Sequence, residues 1–376
     1  MRPWLLVAGD FVASGGMDTA NHALARHLGR TSRAVHLVAH RASADLLALP
    51  SVSLHRVIRP LGSHRLGEPL LRRAAAGWQR RLNARTIANG GNVDAGDVTW
   101  VHYVHAAFEP RAAGALNVAR VAANHRRYAA EERRALQRAR LVICNSARTA
   151  EDVVRSVGVD RARTRIVYYG IDERRYSSVT AAARAAARRA LEIADERPVV
   201  LFAGALGDRR KGFDTLFETW ESLQGSPGWP ALLLVAGSGA ELPQWRARAG
   251  ARLPAESVRF LGYRDDMPDL LAACDVLVHP ARYEAYGLAV HEALCRGIPA
   301  IVSASAGVAE RYPAELAGLL LQDADSATEL SARLRAWRDD GSVRERVGAF
   351  AADLRTRTWD DMAADIVRLV EECLPA

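Results

Sequence analysis

A strand, a glycine turn, a helix and a second strand follow one another at the start of this chain, and this order constrains the fold more than any other feature. Residues 3–8 are apolar enough for a buried strand, and the turn ASGGMD follows them. Apolar residues at helical spacing between Met17 and Leu28 then predict a helix, and residues 34–39 predict the next strand. This order is a βαβ unit, which requires a parallel sheet.

The same pattern begins again in the second half of the chain. Residues 173–197 are typical of a helical connector, and the strand PVVLFAG at 198–204 follows it. Four more apolar runs, ALLLVAG, VRFLG, DVLVHP and PAIVS, are separated by segments long enough for helices. In the first half, further strands are expected at 52–58, 98–104, 141–144 and 165–168, and a basic helical stretch at 66–87. The predicted fold class is α/β, with two doubly wound, Rossmann-like domains in tandem.

The domain boundaries follow from this repetition. A chain of 376 residues is too long for one domain of average size. We predict an N-terminal domain at residues 1–175 and a C-terminal domain at 176–357. An amphipathic helix at 358–376 is expected to pack back toward the N-terminal domain.

Composition and charge argue against several classes of protein. The net charge is +8, but the arginines are dispersed over helices without a basic tail, so nucleic-acid binding is not expected. The four cysteines are scattered, which favours buried thiols in a reducing cytoplasm over a zinc site or disulfides. The short apolar N-terminus is typical of a strand rather than a signal peptide, and no segment approaches the roughly 18 apolar residues of a membrane span. We therefore expect a cytoplasmic protein.

Lys211 is the only lysine in the chain, and the other 50 basic side chains are arginine. It lies in the segment GDRRKGFDTLF, directly after the first strand of the second domain. Ligands of open α/β sheets bind at the carboxyl ends of the strands, so this position favours a function over chance survival of one codon. A compact ammonium on a flexible stem suits phosphate oxygens as a point charge, whereas a guanidinium needs a forked acceptor.

The segment HPARYEAYGLAVHEALCRGIPAIV places polar residues after another predicted strand. Tyr286, Gly287 and Leu288 open a helix whose free N–H groups form an anion site, and Gly287 lets a phosphate approach the backbone. Glu284 and Glu292 would repel phosphate, so we expect them to accept hydrogen bonds from sugar hydroxyls. The alternatives are that Glu284 caps the helix and that Glu292 is a solvated surface residue.

These residues resemble the signature of a known enzyme family. The Glu-x7-Glu spacing in EAYGLAVHE, followed by AL-x-x-G-x-P, is similar to glycosyltransferase family 4, whose members are retaining nucleotide-sugar transferases of GT-B architecture. The resemblance spans most of the chain and is strongest from about residue 198 to 312. It implies two domains facing each other across a cleft, with the acceptor bound by the first and the donor by the second. By this resemblance Glu284 holds donor-sugar hydroxyls, Glu292 holds the ribose, and Lys211 contacts the diphosphate.

One position departs from the family pattern. Family members often carry an arginine after the glycine of FAG, where this chain has Ala205, so Arg209 or Arg210 is a candidate for supplying that charge. Gly262 and Tyr263 resemble the stretch that borders the nucleotide base. They are therefore added to the predicted donor-binding residues.

The first domain contributes a glycine loop and three histidines to the prediction. Gly15 and Gly16 let backbone N–H groups approach the diphosphate or the transferred sugar. The strand DVTWVHYVHAAF delivers His102 and His105 to its carboxyl end. His105 is favoured as the histidine beside the reacting sugar, His102 is second and His125 third. The alternative for each is a packing or capping role.

The resemblance implies sugar transfer from a nucleotide-diphospho-sugar, with UDP or GDP expected, to a hydroxyl of a saccharide, natural product or lipid-linked glycan. The expected catalytic residues are Glu284, Lys211 and His105. Neither a metal nor a cofactor is expected, because no Asp-x-Asp stretch lies in a suitable loop. The basic stretch 70–85 is a candidate for contact with an anionic membrane, but a solvated helix face is favoured.

Three other functions remain open from the sequence. A nucleotide-sugar 2-epimerase of the same architecture would use carboxylates and a histidine for elimination, but Glu-x7-Glu together with RKG argues against it. A phosphorylase-like enzyme would carry pyridoxal phosphate on Lys211, which lies on a glycine loop without a cofactor signature. A sugar-nucleotide-binding protein without turnover is consistent with Ala205.

Overall fold

The computed structural model describes residues 2–31, 34–94, 96–111, 115–207 and 209–374, and these form two compact units. The described parts of Met1–Glu109, Arg120–Gly170 and Arg357–Ala376 make up the first unit. The second unit takes its residues from Pro110–Ala119 and Ile171–Thr356. The last helix of the chain therefore belongs to the first unit.

A parallel sheet forms the centre of the first unit. From edge to edge, its strands within the described residues are Val52–Arg56, Val35–Ala39, Trp4–Val7, Arg85–Asn89, Val98–Val101, Leu141–Cys144 and Thr164–Ile166. Trp4–Val7 pairs in parallel on both sides, with Leu6 opposite Leu37 and Ile87. Strands buried on both faces are continuous apolar runs, which is why the sequence marks most of them. The short strands Asp10–Phe11 and Arg41–Ala42 pair in parallel and form a separate two-stranded sheet.

The helices of this half differ from the prediction at one place. They are Gly16–Arg30, Ala44–Leu47, His64–Leu82, Ala115–Arg138 and Ala147–Asp152. The predicted helical stretch 66–87 was wrong at its end, because the helix stops at Asn83, whose φ of 46° is left-handed. The strand Arg85–Asn89 follows and is fully buried. This strand was missed because Arg85 and Asn89 are polar. In the fold, Arg85 is buried with its guanidinium 3.5 Å from Glu371.

The C-terminal helix packs against the first helix of the chain. Trp359–Cys373 begins with a capping box between Thr358 and Asp361, and it contacts Gly16–Arg30. Gly170 permits the close approach of the backbone before this helix, because a Cβ there would lie 2.0 Å from the Thr358 carbonyl oxygen. Residues far apart in sequence thus complete one unit.

The second unit repeats the architecture. Its parallel strands, from edge to edge within the described residues, are Val258–Gly262, Leu232–Ala236, Val199–Ala203, Val276–His279, Ala300–Ser303 and Leu320–Leu321. Its helices are Ala181–Ala190, Phe213–Gln224, Leu242–Arg252, Met267–Ala273, Leu288–Cys295, Ala327–Asp339 and Val343–Arg355. The second of these helices packs one apolar face into the core, where Phe213, Leu216, Phe217, Trp220 and Leu223 are all buried.

The predicted connector at 173–197 is helical only over Ala181–Ala190, where Thr180 caps the helix. Arg188 anchors this helix, because its guanidinium is buried and donates to the carbonyl oxygens of Ala273 and Ala194 at 2.9 and 2.6 Å. Within the described ranges, none of the helices combines the length and apolarity needed to cross a membrane.

Both sheets have their first strand between the second and the fourth strand along the chain. In such sheets the connections leave on opposite sides of the first strand, and a crevice opens at the carboxyl ends of the first and fourth strands. We call these places the switch points. The switch point of the second unit lies after Val199–Ala203 and Val276–His279, and that of the first unit lies after Trp4–Val7 and Arg85–Asn89.

Candidate active site

Two loops meet at the switch point of the second unit, and a glycine sets their distance. Gly212 has a φ of 72°, and a Cβ on it would lie 1.9 Å from the carbonyl oxygen of Pro280. Only glycine tolerates this conformation and this approach. The turn that contains Lys211 is therefore held directly against the loop that follows Val276–His279.

Lys211, Glu284 and His279 form a hydrogen-bonded cluster here, in which Lys211 and Glu284 are partly exposed and His279 is buried. The Lys211 Nζ lies 2.6 Å from Glu284 Oε2, and His279 Nε2 lies 2.8 Å from the same oxygen. Although burial opposes it, the charge of Lys211 and the hydrogen bond from His279 hold the pKa of Glu284 well below its usual range. Burial lowers the pKa of His279, so a neutral ring donates through Nε2. Glu284 is thus an ionised acceptor with a cation beside it.

Arg282 connects these two loops, and sequence reasoning missed it. Its backbone N–H donates to the Arg210 carbonyl oxygen at 2.8 Å, and its guanidinium donates to the Arg209 carbonyl oxygen. The same guanidinium contacts Asp214 at 2.8 Å and Asp325 at 2.6 Å. Because its main acceptors include backbone carbonyls, no side-chain pattern could have revealed it.

The helix Leu288–Cys295 begins beside Glu284. Gly287 is its N-cap with a φ of 107°, and a Cβ there would lie 3.0 Å from the Val308 side chain. The buried Tyr286 hydroxyl lies 3.1 Å from His291 Nδ1, which fixes the first turn from the core side. The alternative that Glu284 caps this helix was wrong, because Gly287 occupies the cap position.

Glu292 lies one helical turn further on, in a partly buried position. Its carboxyl hydrogen-bonds to Tyr176, and Arg175 is near. Burial raises the pKa of Glu292 to about 7 in spite of both neighbours. The alternative of a solvated surface residue is therefore wrong. Tyr176 was missed because it lies in the segment interpreted as a connector helix.

The remaining predicted donor residues surround this cluster less closely. Ala205 is exposed, and the Arg209 Nε lies 3.5 Å from Glu241 Oε1. Gly262 has a φ of 72°, and its carbonyl oxygen accepts a hydrogen bond of 2.7 Å from the Gly237 N–H. Tyr263 is 71% exposed. Ala205 and Tyr263 follow their strands, Gly262 is the last residue of Val258–Gly262, and Arg209 lies in the same turn as Lys211.

The switch point of the first unit is an open cavity of about 460 Å³. Residues after Trp4–Val7, including Asp10, and residues after Arg85–Asn89, including Gly91, line it. Gly15 and Gly16 lie on the adjacent loop, where Gly15, with a φ of 76°, is the N-cap of Gly16–Arg30.

His102 lies in this cavity with one ring nitrogen unused. Its Nδ1 hydrogen-bonds to the Tyr169 hydroxyl, whose oxygen also accepts from Asn145 Nδ2 at 3.1 Å. Nε2 is buried and has no hydrogen-bond partner among the described residues. Burial lowers the pKa of His102 to about 3, so the ring is neutral.

His105 also lines the cavity, but both of its ring nitrogens have partners. Nδ1 lies 3.1 Å from Glu132 Oε1, and Nε2 lies 2.7 Å from the Tyr103 hydroxyl. The His125 ring is tilted by 60° against it, with ring centroids 5.7 Å apart, and His125 is not among the lining residues. The structure therefore brings His102 and His105 to one site and leaves His125 beside it. In the described ranges, His, Cys, Asp and Glu side chains do not gather in a group of three that could hold a metal ion.

Two family models match the chain, one in each half. The model described as Glycosyltransferase Family 4 matches residues 14–175, and the model described as Glycosyl transferases group 1 matches residues 183–353. The two matches follow one another along the chain. Together they include all the predicted site residues.

Relatives in other organisms are similar to this chain. The 2-deoxystreptamine N-acetyl-D-glucosaminyltransferase of Streptomyces fradiae is 31% identical over 244 residues, covering 63% of this chain and 56% of the relative. The lipopolysaccharide glucosyltransferase WaaG of Escherichia coli is 28% identical over 257 residues, covering 66% of this chain and 68% of the relative. The chain spans about half the length of several of the relatives it matches.

Solved structures share the fold over nearly the whole chain. The crystal structure of WaaG, a glycosyltransferase involved in lipopolysaccharide biosynthesis, matches with a TM-score of 0.76 at 20% identity, covering 99% of this chain and 100% of that one. Anabaena HepE in complex with UDP and glucose matches with a TM-score of 0.70 at 19% identity, covering 99% and 100%. The predicted α/β fold class with GT-B architecture is confirmed. From the family models, the relatives and this fold, the chain belongs to glycosyltransferase family 4.

Proposed function

We propose that this protein is a retaining glycosyltransferase that moves a sugar from a nucleotide-diphospho-sugar to an acceptor hydroxyl without a metal or a cofactor. The observation that carries this proposal is the contact of 2.6 Å between Lys211 and Glu284 at the switch point of the second unit. A cation for phosphate and an ionised carboxylate for sugar hydroxyls are both fixed there, beside the start of Leu288–Cys295.

Lys211 supplies the positive charge for the diphosphate. Its ammonium is partly exposed and held by Glu284 alone among the described residues. The three ammonium hydrogens permit one to stay on Glu284 while others donate to phosphate oxygens. The free N–H groups at the start of Leu288–Cys295 add dipoles of the same sign. Charge developing on the leaving diphosphate is stabilised by these fixed groups.

Glu284 positions the donor sugar. Lys211 and His279 both contact Oε2, and Oε1 accepts no hydrogen bond from the described residues. Oε1 is therefore the acceptor for a sugar hydroxyl, and the low pKa of Glu284 keeps it ionised for that role. Glu292, more deeply placed along the helix, is the proposed acceptor for the ribose.

The first unit is proposed to bind the acceptor in its cavity. In the retaining reaction the acceptor hydroxyl attacks on the side of the leaving group, and its proton passes to the departing phosphate. The chain then requires no strong base, which agrees with the neutral His102. His102 is favoured here over His105 as the group facing the reactants, because its Nε2 is unused.

The comparisons support a UDP-linked donor and a polyol acceptor. Anabaena HepE was solved with UDP-glucose, and relatives act on 2-deoxystreptamine and D-inositol 3-phosphate. They do not favour the 2-epimerase. A binding protein without turnover is the second candidate, because the family arginine is replaced by the exposed Ala205.

The test is a thermal-shift screen with UDP-, GDP-, ADP- and dTDP-sugars, followed by measurement of nucleotide release. A ligand that binds the native state raises the unfolding midpoint by mass action. We expect a shift with UDP-sugars and nucleotide release that rises when an acceptor is added. No shift with any donor contradicts the proposal, and a shift without release for any acceptor in a broad panel favours the binding protein.

A further inference from the structure

The cavity of the first unit is lined by acids. Among its described lining residues the basic side chains are histidines, with no arginine or lysine. Burial lowers the pKa of His64 and of His102, which keeps these two rings neutral. The lining carboxylates are Asp10, Asp18, Glu68, Glu131 and Glu132.

Three of these carboxylates, Glu68, Glu131 and Asp10, have arginine partners that do not line the cavity. Glu68 Oε2 lies 3.2 Å from Arg127, and Glu131 Oε2 lies 3.5 Å from Arg72. Glu132 accepts from the backbone and ring of His105 at 2.8 and 3.1 Å. Glu68, Glu131 and Glu132 therefore have their hydrogen-bond or ion-pair partners within the protein.

Asp18 and one oxygen of Asp10 do not have such partners among the described residues. Asp10 Oδ2 lies 3.1 Å from Arg41 and 3.7 Å from Arg59, but its Oδ1 is buried and accepts no hydrogen bond from the residues that the structure describes. Asp10 is only 8% exposed. Asp18 has no ion-pair partner within 4.0 Å in the same set of residues. Burial and the negative charge of Asp10 raise the pKa of Asp18 to about 6, although Arg41 and Arg59 act in the opposite direction.

His102 adds a hydrogen-bond donor to this wall. When the Tyr169 hydroxyl donates to His102 Nδ1, the neutral ring carries its proton on Nε2. This Nε2 is unpartnered among the described residues and belongs to a side chain only 7% exposed. The cavity thus combines a buried donor with unsatisfied acceptors.

We propose that the acceptor bound in this cavity is a polyol carrying a protonated amine, with its ammonium group against Asp18 and Asp10 and a hydroxyl oxygen against His102 Nε2. The inference rests on the proposed function, which assigns the acceptor to this unit. An ammonium group offers three donors and one positive charge, so it satisfies Asp10 Oδ1 and neutralises Asp18 together. The cavity volume lies within the range of about 300–1,000 Å³ typical of small-molecule sites.

The test compares three sugars that share one ring and differ at one substituent. Glucosamine, glucose and N-acetylglucosamine are titrated against the full chain by ligand-observed NMR at about pH 7, where an amine is largely protonated. We expect glucosamine to bind about tenfold more tightly than the other two. Asp18→Asn should remove this preference while glucose still binds, which shows that the cavity is intact. Asp94→Asn, in a surface pair with Arg138, is the matched control and should keep the preference.

Equal affinity for the three sugars overturns the inference, as does a preference for glucosamine that survives in Asp18→Asn. The donor screen on the same samples separates this failure from that of the proposed function. A shift with nucleotide sugars but no amine preference refutes the cationic acceptor and leaves the transferase proposal standing. An amine preference that Asp18→Asn removes, without a shift by any donor, upholds the cavity assignment and refutes the transferase.

Discussion

The two sheets have the same order of their first four strands, but the side chains at their switch points differ: a lysine lies at one and carboxylates line the other. In the second unit, the crevice holds Lys211 and the start of Leu288–Cys295. In the first unit, five carboxylates line the cavity. The strand order determines where the loops meet, and the loop sequences determine what they can bind. If the proposed ligands are correct, this difference in loop chemistry disfavours a nucleotide diphosphate in the first cavity and an amine-bearing acceptor beside Lys211.

The two sites also differ in how closely their backbones pack. In the second unit a Cβ on Gly212, Gly237 or Gly239 would lie within 2 Å of a neighbouring carbonyl oxygen. In the first unit, Gly15 has nothing within 4 Å of its Cβ position among the described atoms. The backbone packs less closely at the first site, where a Cβ on the lining residue Gly91 would lie 3.0 Å from the Glu132 Cα. We therefore expect glycine substitutions to damage the two sites unequally.

Removal of Lys211 should have the largest effect on activity. Lys211→Ala takes the point charge from the diphosphate, and we expect nucleotide release to fall by about a hundredfold to a thousandfold. Lys211→Arg keeps the charge but not the compact ammonium, and should still cost about tenfold or more. Arg189→Ala, at an exposed helix end, is the control. Full activity of Lys211→Arg would mean that the lysine is a remnant of codon drift.

Gly212→Ala should be the most destabilising glycine substitution at the donor site. The new Cβ would meet the Pro280 carbonyl oxygen at 1.9 Å, so we expect a loss of more than about 3 kcal/mol in the free energy of unfolding. Gly228 has a similar φ of 81° with open space around its Cβ position, and Gly228→Ala should cost only about 1 kcal/mol. Urea unfolding of both variants separates the clash from the backbone strain. Equal losses would show that the contact with Pro280 is not rigid.

Glu292 should make the stability of the second unit depend on pH. Its folded pKa of about 7 lies above its ordinary value of 4.5, so the folded state binds the proton more tightly. The stabilisation is complete below about pH 4.5 and is lost as the pH rises through 7, a change of up to about 3 kcal/mol. Glu292→Gln should lack this decline when urea unfolding is followed from pH 4.5 to 8, and the exposed Glu315→Gln controls for the amide substitution. A parallel decline in Glu292→Gln would assign the pH dependence to other groups.

Most strands of both sheets could be predicted from the sequence, because burial on both faces requires continuous apolar runs that are recognisable without the structure. The strand Arg85–Asn89 escaped notice, because its polar residues find partners only in the folded unit. Its burial depends on a glutamate near the C-terminus, which no local pattern reveals.

The candidate sites show the same limit. Lys211 and Glu284 were singled out separately, but the contact between them depends on Gly212 packing on Pro280 across two loops. The Arg282 guanidinium donates to a backbone carbonyl oxygen, and such an acceptor is present at every residue and leaves no sequence pattern. The carboxylates of the first cavity come from segments far apart in the chain, so their convergence is a property of the sheet order rather than of any motif.

Tyr169→Phe should have the smallest effect on stability and activity, and that effect should be confined to the cavity of the first unit. Loss of the hydroxyl leaves His102 Nδ1 without its partner and should cost about 1–2 kcal/mol of stability. It also frees the ring to exchange its tautomer, so KM for the acceptor should rise while stabilisation by nucleotide sugars stays constant. Tyr312→Phe, which removes a buried hydroxyl that donates to Ala300 at 2.9 Å in the second unit, is the matched control and should leave the acceptor KM unchanged. If Tyr169→Phe weakens donor binding as much as acceptor binding, the two switch points do not act as separate sites. That result would contradict the proposal that the donor binds in the second unit and the acceptor in the first.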